Sequence, residues 1–447
     1  MTSAFPSTAS QPLRIGLAGL GTVGVSVLKI LRRQENALAA RCGRSVRVVA
    51  VSARNRQRDR GIDLGGLAWF DDPVALAKSD EVDCLVELMG GADGPAKAAV
   101  EAALAAGKPV VTANKALLAA HGAELAELAE ARGAALAFEA SSAGGIPVVK
   151  TLREALAGNN VTRISGILNG TCNYILTRMH EEGLSFEACL DQAQRLGYAE
   201  ADPTFDVDGF DTAHKLSLLA ALAFGVQPDP DAIHVEGIRT ITLADLEAAD
   251  ELGYRIKLLG VAAKAGPAVE LRVHPTMVPK HWPIAQVSGV TNAVAIDGDA
   301  VALTLVGPGA GGDATASAVV GDICDIAAGK SGAPFGLRAA NLRPAGKAAI
   351  QRHEGGYYIR LAAVDRPGTA AAIARHMAEQ NISLESIMQH RRGRPHGGER
   401  AESAEDPAPV VLITYATTED AVRRAIDAID LDGVIASPPQ VIRIEKD

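Results

Sequence analysis

The sequence predicts an α/β protein. A doubly wound parallel sheet comes first, an α+β domain is inserted before the chain returns to it, and a small β-α-β-β-α-β unit follows. Three observations carry this. Apolar strand-like runs alternate with helically spaced segments over 13–140. That rhythm gives way to long helical stretches and then several strand-like runs up to 306. A stretch rich in small and breaker residues, 327–350, then precedes the last unit. With 447 residues, 48% hydrophobic and 22% charged, the chain has material for two or three soluble domains. A formal charge of −9 argues against a protein that wraps nucleic acid or binds an anionic membrane. Five widely spaced cysteines, with no metal-type pairing, point to a reducing compartment. No leader-like segment stands at the start, and the apolar run Leu216–Val226 is too short to span a bilayer. The expectation is a soluble, cytoplasmic protein.

The first domain is expected over 1–140, completed by 307–335. A strand at Arg14–Gly19 runs into a helix at Val23–Leu31, and Gly19-Leu-Gly21-Thr22-Val23-Gly24 joins them. This is the strand-to-helix setting of the dinucleotide fingerprint of Rossmann-type folds. Its glycines permit a tight turn and let a pyrophosphate approach the helix N-terminus. The β-branched strand Val46–Ser52 ends at Ala53-Arg54, followed by Arg56, Arg58 and Arg60. An acidic residue here would suit a ribose 2′-hydroxyl, whereas these arginines suit a 2′-phosphate, so NADP is favoured with NAD possible. A solvated basic loop is the alternative. Helix 73–79, strand Val82–Leu88, helix 94–106, strand Pro109–Thr112, helix 115–132 and strand Ala134–Glu139 complete the alternation. Asn114 and Lys115 follow a strand's C-terminal end, where such sheets place ligands.

The inserted domain is expected over 141–306. Before it lies the small-residue loop Glu139 to Pro147, including Ser142, Gly144 and Ile146. Such a loop can offer backbone carbonyls to a hard cation, or simply be a hinge. A helix at Pro147–Leu156 and a strand at Val161–Leu168 lead to helices at 185–196 and 210–224. Strand-like runs at 255–263, 269–274, 284–288 and 301–305 suggest an antiparallel sheet. The most informative stretch is 197–215. Glu200, Asp202, Asp206, Asp208 and Asp211 fall within twelve residues, Lys215 follows Asp211 by one turn, and Leu216 to Phe224 is apolar. Charge held against a core helix is what a polar active site needs. An ordinary i,i+4 pair at an acidic helix start is the plain alternative. Gly307-Pro-Gly309-Ala-Gly311-Gly312 is a second glycine-rich loop before a helix, placed to close over a cofactor or to act as a turn and cap.

A linker is expected over 336–356 and a ferredoxin-like unit over 357–447. Within it, Val364-Asp-Arg-Pro-Gly368-Thr forms a strand-to-helix turn, Asn381-Ile382 opens the second strand, and 391–409 reads as a mobile loop.

Gly-Leu-Gly-Thr-Val-Gly at 19–24, Ala-Asn-Lys-Ala-Leu at 113–117, Ile-Leu-Asn-Gly-Thr-Cys-Asn-Tyr-Ile-Leu at 167–176 and the 197–215 segment resemble homoserine dehydrogenases of the monofunctional type with a C-terminal ACT domain. The likeness runs over nearly the whole chain. It implies NAD(P)H-dependent reduction of L-aspartate 4-semialdehyde to L-homoserine, in threonine, methionine and isoleucine biosynthesis. Lys215 matches the proton donor and Lys115 a second catalytic lysine that also meets the cofactor. Glu200 and Asp211 match positions that hold the substrate ammonium and hydroxyl, with Asp206 in support. Gly197 and Gly311 join the 19–24 turn, Ala53 and Arg54 as cofactor contacts. Glu139, with the carbonyls of Ser142, Gly144 and Ile146, matches a monovalent cation site for Na⁺ or K⁺. Ser142 stands where some relatives carry Val, which a carbonyl ligand tolerates. The last unit resembles an ACT module, in which Gly368, Asn381 and Ile382 would meet an amino-acid effector, L-threonine. A homodimer or homotetramer is implied.

The chemistry agrees with this. Hydride delivery to an aldehyde builds negative charge on oxygen, which a positioned ammonium stabilises and protonates. A non-catalytic amino-acid sensor, or another NADP-dependent amino-acid dehydrogenase, is the competing reading. The combined set Lys115, Glu200, Asp211 and Lys215 favours catalysis.

Overall fold

A computed structural model describes residues 11–266, 268–346, 354–364, 366–389 and 407–445. Most of the loop expected at 391–409 therefore lies outside the described residues.

The first part alternates strands and helices: β1 (Leu13–Ala18), α1 (Thr22–Arg33), α2 (Glu35–Cys42), β2 (Val46–Ser52), β3 (Ala68–Phe70), α3 (Pro73–Lys78), β4 (Cys84–Glu87), α4 (Pro95–Ala105), β5 (Val110–Thr112), α5 (Lys115–Arg132) and β6 (Leu136–Ala137). The six strands form a parallel sheet in the order β3-β2-β1-β4-β5-β6. Its order reverses between β1 and β4, so a crevice opens outside their C-terminal ends. The central strands β1, β4 and β5 are buried along nearly their whole length, without alternation, because both faces are covered. Ile15 and Leu17 of β1 and Val27 of α1 share a buried cluster with Val319, Val320 and Ile323, nearly three hundred residues further along.

Next come α6 (Ala140–Ala143), α7 (Val148–Lys150, continued by a π turn over Thr151–Ala155), β7 (Val161–Ile167), α8 (Gly170–Glu182), α9 (Phe186–Arg195), α10 (Thr204–Val207) and α11 (Phe210–Phe224). β8 (His234–Val235), α12 (Leu243–Glu251), β9 (Tyr254–Ala265), β10 (Ala268–Pro279), β11 (Thr291–Gly298), β12 (Ala302–Pro308) and α13 (Gly312–Ala327) follow. α13 supplies the late residues of the buried cluster just described. β7, β9, β10, β11 and β12 are antiparallel neighbours, and β9 and β10 form a hairpin paired over twelve residues each. α11 is apolar nearly all round: Leu216, Leu218, Leu219 and Ala220 are fully buried, which explains why its polar residues sit at its first turns.

One expected strand is corrected. Residues 284–288 do not form a strand; Pro283–Gln286 make a 3₁₀ turn whose Ile284 and Ala285 are buried against the sheet. Pro283 fixes φ at the turn's start and removes a ladder donor. The strand is β11 instead, where Ala293 and Ala295 soften the apolar alternation.

The breaker-rich stretch is packed over 335–343. Phe335 is fully buried with its ring 5.1 Å from Phe138, and Ala339 N–H donates to Glu130 Oε1 (3.0 Å). The final unit comprises β13 (Glu354–Ala363), α14 (Thr369–Glu379), β14 (Leu384–Gln389), β15 (Ala408–Thr414), β16 (Thr417–Thr418), α15 (Glu419–Leu431) and β17 (Gln440–Ile444). Its strands continue the second sheet, because β17 pairs in parallel with β10 at Thr276↔Arg443 and Met277↔Ile444. Ion pairs fasten the junction on either side. Fully buried Asp245 accepts from Tyr358 Oη (3.0 Å) and from Arg360 (2.7 and 3.1 Å). Arg443 makes paired bonds to Glu236 (2.8 and 2.9 Å) and to Glu419 (2.9 and 2.7 Å).

Candidate active site

The fingerprint turn forms where the sequence places it. Gly21 caps α1 without a side-chain bond, leaving the first helical N–H groups available. A Cβ on Gly24 would meet Gly19 O at 2.1 Å, and one on Gly19 would meet Leu88 O at 2.5 Å. A Cβ on Gly21 would meet nothing within 4 Å, so open space stands over the turn, as a pyrophosphate requires. Thr22 and Val23 begin the helix. Ala53 is half-buried and Arg54 exposed just past β2. Arg60 braces this loop by donating to Leu20 O (3.2 Å) and Arg58 O (2.7 Å), and with Arg56 it lies near the Trp69 ring (5.6 and 5.7 Å).

A cavity of about 710 Å³ opens between the two sheets' domains. Lys115, Asn169, Asp206, Asp211 and Lys215 line it together with Gly197 and the 307–311 loop. Lys115 arrives at the start of α5, because Asn114 caps that helix through Leu117 N–H (3.1 Å). Asp211 and Lys215 are one turn apart on α11. Lys215 Nζ donates to Asp211 Oδ2 (2.8 Å) and Leu168 O (2.6 Å), while Lys115 Nζ lies 3.1 Å from Asp211 Oδ1. One buried carboxylate thus bridges two ammoniums from different domains. Burial alone would raise the Asp211 carboxyl, but the two lysines and the Asn169 amide outweigh it and hold it well below the ordinary range. Half-buried Asp206 goes the other way. Desolvation raises it, and its bond from Asn169 Nδ2 (2.8 Å) offsets only part.

Asn169 is the residue that sequence reasoning passed over. Its Nδ2 reaches both Asp206 and Asp211 (2.9 Å), and its Oδ1 caps α8 through Cys172 N–H (2.8 Å). The signal was present as an Asn directly before a helical run. Glu87 was also passed over: a fully buried carboxyl ending a hydrophobic strand, bonded to Thr112 Oγ1 (2.6 Å).

Other expected residues lie apart. The Glu200 side chain is exposed and does not line the cavity. Glu139 is buried, and its oxygens accept from Val149 and Lys150 N–H (2.8 Å each). Desolvation pushes its carboxyl up to about 7. Nearby Ser142 Oγ is buried and unpartnered, Gly144 packs on the Gly309 carbonyl, and Ile146 O accepts from Val148 N–H (2.8 Å). Among the described residues no cluster of three His, Cys, Asp or Glu groups suits a metal. Gly368 and Asn381, both at positive φ, bracket α14 from opposite ends, with Ile382 buried beside the latter. Eleven residues at about 1.5 Å each separate them by roughly 16 Å within one chain. A second groove of about 530 Å³, lined by Arg153, Asp322, Asp325 and Lys330, contains no residue of the 19–24 turn; there Asp325 bridges Lys150 and Lys330 (2.6 and 2.8 Å), a pair set apart from the dinucleotide fingerprint. Among the described residues no helix is long and apolar enough to cross a membrane.

A family model described as homoserine dehydrogenase matches residues 147–324, and one described as its NAD binding domain matches 19–139. The homoserine dehydrogenase of Pseudomonas aeruginosa is 42% identical over 98% of this chain and 99% of its own. That of Neisseria gonorrhoeae is 42% identical over 97% and 99%. The crystal structure of a homoserine dehydrogenase from Thiobacillus denitrificans superposes with a TM-score of 0.90 at 40% identity, covering 98% of this chain and 99% of that one. A hyperthermophilic archaeal homoserine dehydrogenase in complex with NADPH gives a TM-score of 0.62 at 27% identity, covering 72% of this chain and all of its own.

Proposed function

The chain belongs to the homoserine dehydrogenase family, and we propose how its residues perform that reaction and what regulates it. It is an NAD(P)-linked oxidoreductase of amino-acid biosynthesis that interconverts L-aspartate 4-semialdehyde and L-homoserine. The nicotinamide cofactor supplies the hydride. In our reading Lys215 and Lys115 face the aldehyde oxygen. Lys215 has two of its three donors engaged by Leu168 O and Asp211, which fixes its direction and leaves one for the substrate. It stabilises the growing alkoxide and protonates it. Asp211 holds both ammoniums in place, and Asp206 is available to the substrate's own ammonium. Glu200, exposed in the described structure, takes part only if its loop folds over the cavity. The observation that carries this reading is the Lys115–Asp211–Lys215 bridge in the wall of the cavity beside the fingerprint turn.

We assign NADP preference to Arg54, which stands exposed past β2 with no acidic residue beside it in sequence. The loop around Glu139 suits a monovalent cation. A buried carboxyl raised by desolvation and an unpartnered Ser142 hydroxyl are the features a cation would relieve, with carbonyls of Ser142, Gly144 and Ile146 as the other ligands. The C-terminal β-α-β-β-α-β unit is read as an L-threonine module. Because Gly368 and Asn381–Ile382 are apart in one chain, a site using all three spans two protomers. Exposed Val306 and Ile387 on the outer strands β12 and β14 favour a homodimer or larger. A cytoplasmic location fits five unpaired cysteines.

Replacing Lys215 by Ala tests the mechanism. Turnover should fall by about 10²–10⁴-fold, while NADPH affinity, followed by fluorescence titration, stays within a few-fold. A variant that keeps more than about a tenth of wild-type turnover removes Lys215 as the donor.

A further inference from the structure

We propose that Glu87 is a positioning residue that sets Lys115 by tying the two loops at the cofactor crevice. Glu87 ends β4, one of the two strands that flank the reversal in sheet order, and is fully buried. Among the described residues no cation pairs with it; three donors converge on it instead. Oε1 accepts from Met89 N–H (2.6 Å) and Gly90 N–H (3.2 Å), and Oε2 accepts from Thr112 Oγ1 (2.6 Å). A buried carboxyl is costly unless such donors meet it, and an apolar side chain would fill the same space without that cost. What the carboxyl provides is a connection.

One half of the connection is the loop after β4. Leu88 N–H bonds Ala18 O (2.7 Å), and Leu88 O packs against Gly19 of the fingerprint so closely that a Cβ there would lie at 2.5 Å. The other half leads to Lys115. Thr112 Oγ1, having donated to Glu87, accepts from Asn114 N–H (3.0 Å). Asn114 in turn donates from Nδ2 to Gly91 O (2.8 Å) and caps α5 with Oδ1. Lys115 is the first residue of that helix. The fingerprint turn and the base of Lys115 are therefore joined through Glu87, Thr112 and Asn114. A displacement of about 1 Å at a reacting group can cost on the order of 10²-fold in rate.

This inference rests on the role given to Lys115 above, and the test separates the two. Thr112→Val keeps shape but lacks the hydroxyl, Thr112→Ser restores it, and Glu87→Gln keeps shape but weakens the acceptor. Each is measured in the wild type and in Lys115→Ala, with kcat and NADPH Kd as readouts. We expect Thr112→Val and Glu87→Gln to lower kcat about tenfold or more, with NADPH Kd within about threefold, and Thr112→Ser to recover most of the rate. In the Lys115→Ala background the same substitutions should change kcat less than about twofold, since the group they position is gone. An equal fold-loss in both backgrounds, or wild-type turnover for Thr112→Val where Lys115→Ala is impaired, overturns the positioning role alone. Wild-type turnover for Lys115→Ala overturns the role of Lys115 itself.

Discussion

A single carboxylate can be read through its surroundings, and Asp211 and Glu139 show the two opposite outcomes. Both are buried, yet Asp211 sits between two ammoniums and stays low, whereas for Glu139 desolvation outweighs two backbone N–H donors, the like charge of Asp322 opposes the Lys150 ammonium, and its carboxyl rises to about 7. For Glu139 the folded state binds its proton more tightly than the unfolded chain. Its contribution therefore erodes stability as pH rises from the ordinary carboxylate range to about 7, and is constant above that. The expected loss is on the order of 3 kcal/mol. A bound K⁺ or Na⁺ would reverse the sign by favouring the charged form. Thermal unfolding of wild type and Glu139→Gln in choline, sodium and potassium buffers checks this. The wild type should lose stability between about pH 4.5 and 7 in choline and regain it with the binding cation, while the variant responds to neither. A salt response shared equally by the variant removes the cation site. At this scale the sequence was readable where a residue's partners are local. Asp211 and Lys215, one turn apart, were found from spacing. Asn169 and Glu87 were not, because their partners lie 37 and 42, and 25, residues away.

Among the elements, those with a strong period and clean ends read well: β2, α5 and α11 run where periodicity and turn residues put them. The misread stretch was 284–288, whose apolar residues are buried by a 3₁₀ turn rather than a strand. A short hydrophobic run reports burial, and cannot by itself report backbone shape. The β1–α1 turn offers a test of element geometry separate from stability. Gly21 has φ −80°, which alanine adopts without strain, and its would-be Cβ enters empty space. Gly21→Ala should thus leave the unliganded melting temperature unchanged, while NADPH affinity falls about tenfold or more because the methyl stands where the pyrophosphate approaches. Calorimetric melting and a cofactor titration decide it; unchanged affinity would mean the cofactor takes another path over the turn.

For the whole molecule, alternation of strand and helix announced the first sheet, but nothing in the sequence announced that the last unit would share the second. The β10–β17 pairing is two residue pairs long, and pairings across a long loop leave no periodic trace. Its side-chain fastening is more telling: the buried Arg443 guanidinium of β17 draws together Glu419 of α15 and Glu236 of the loop after β8. Arg443→Met should destabilise the protein by about 3 kcal/mol, because it removes the buried partner of both carboxylates and leaves Glu419 only the half-exposed Arg423 and Glu236 only His234. Breaking the exposed Arg375–Asp432 pair instead should leave the denaturation midpoint nearly unchanged, because solvent screens it. Chemical denaturation of the two variants measures the contrast, and equal effects would mean the interior charges are solvated. Hydrogen bonding runs uninterrupted from β12, whose last residues rim the cavity, to β14 at the far edge. Among the described residues the ladder has no break along that path, and its narrowest link is the two-pair junction of β10 and β17. A ligand that altered the twist of the outermost strand would work against the stiffness of a plank whose other end borders the reacting atoms. The trace of such an event would be altered amide exchange along β10 and β7, with the angle between the two units unchanged.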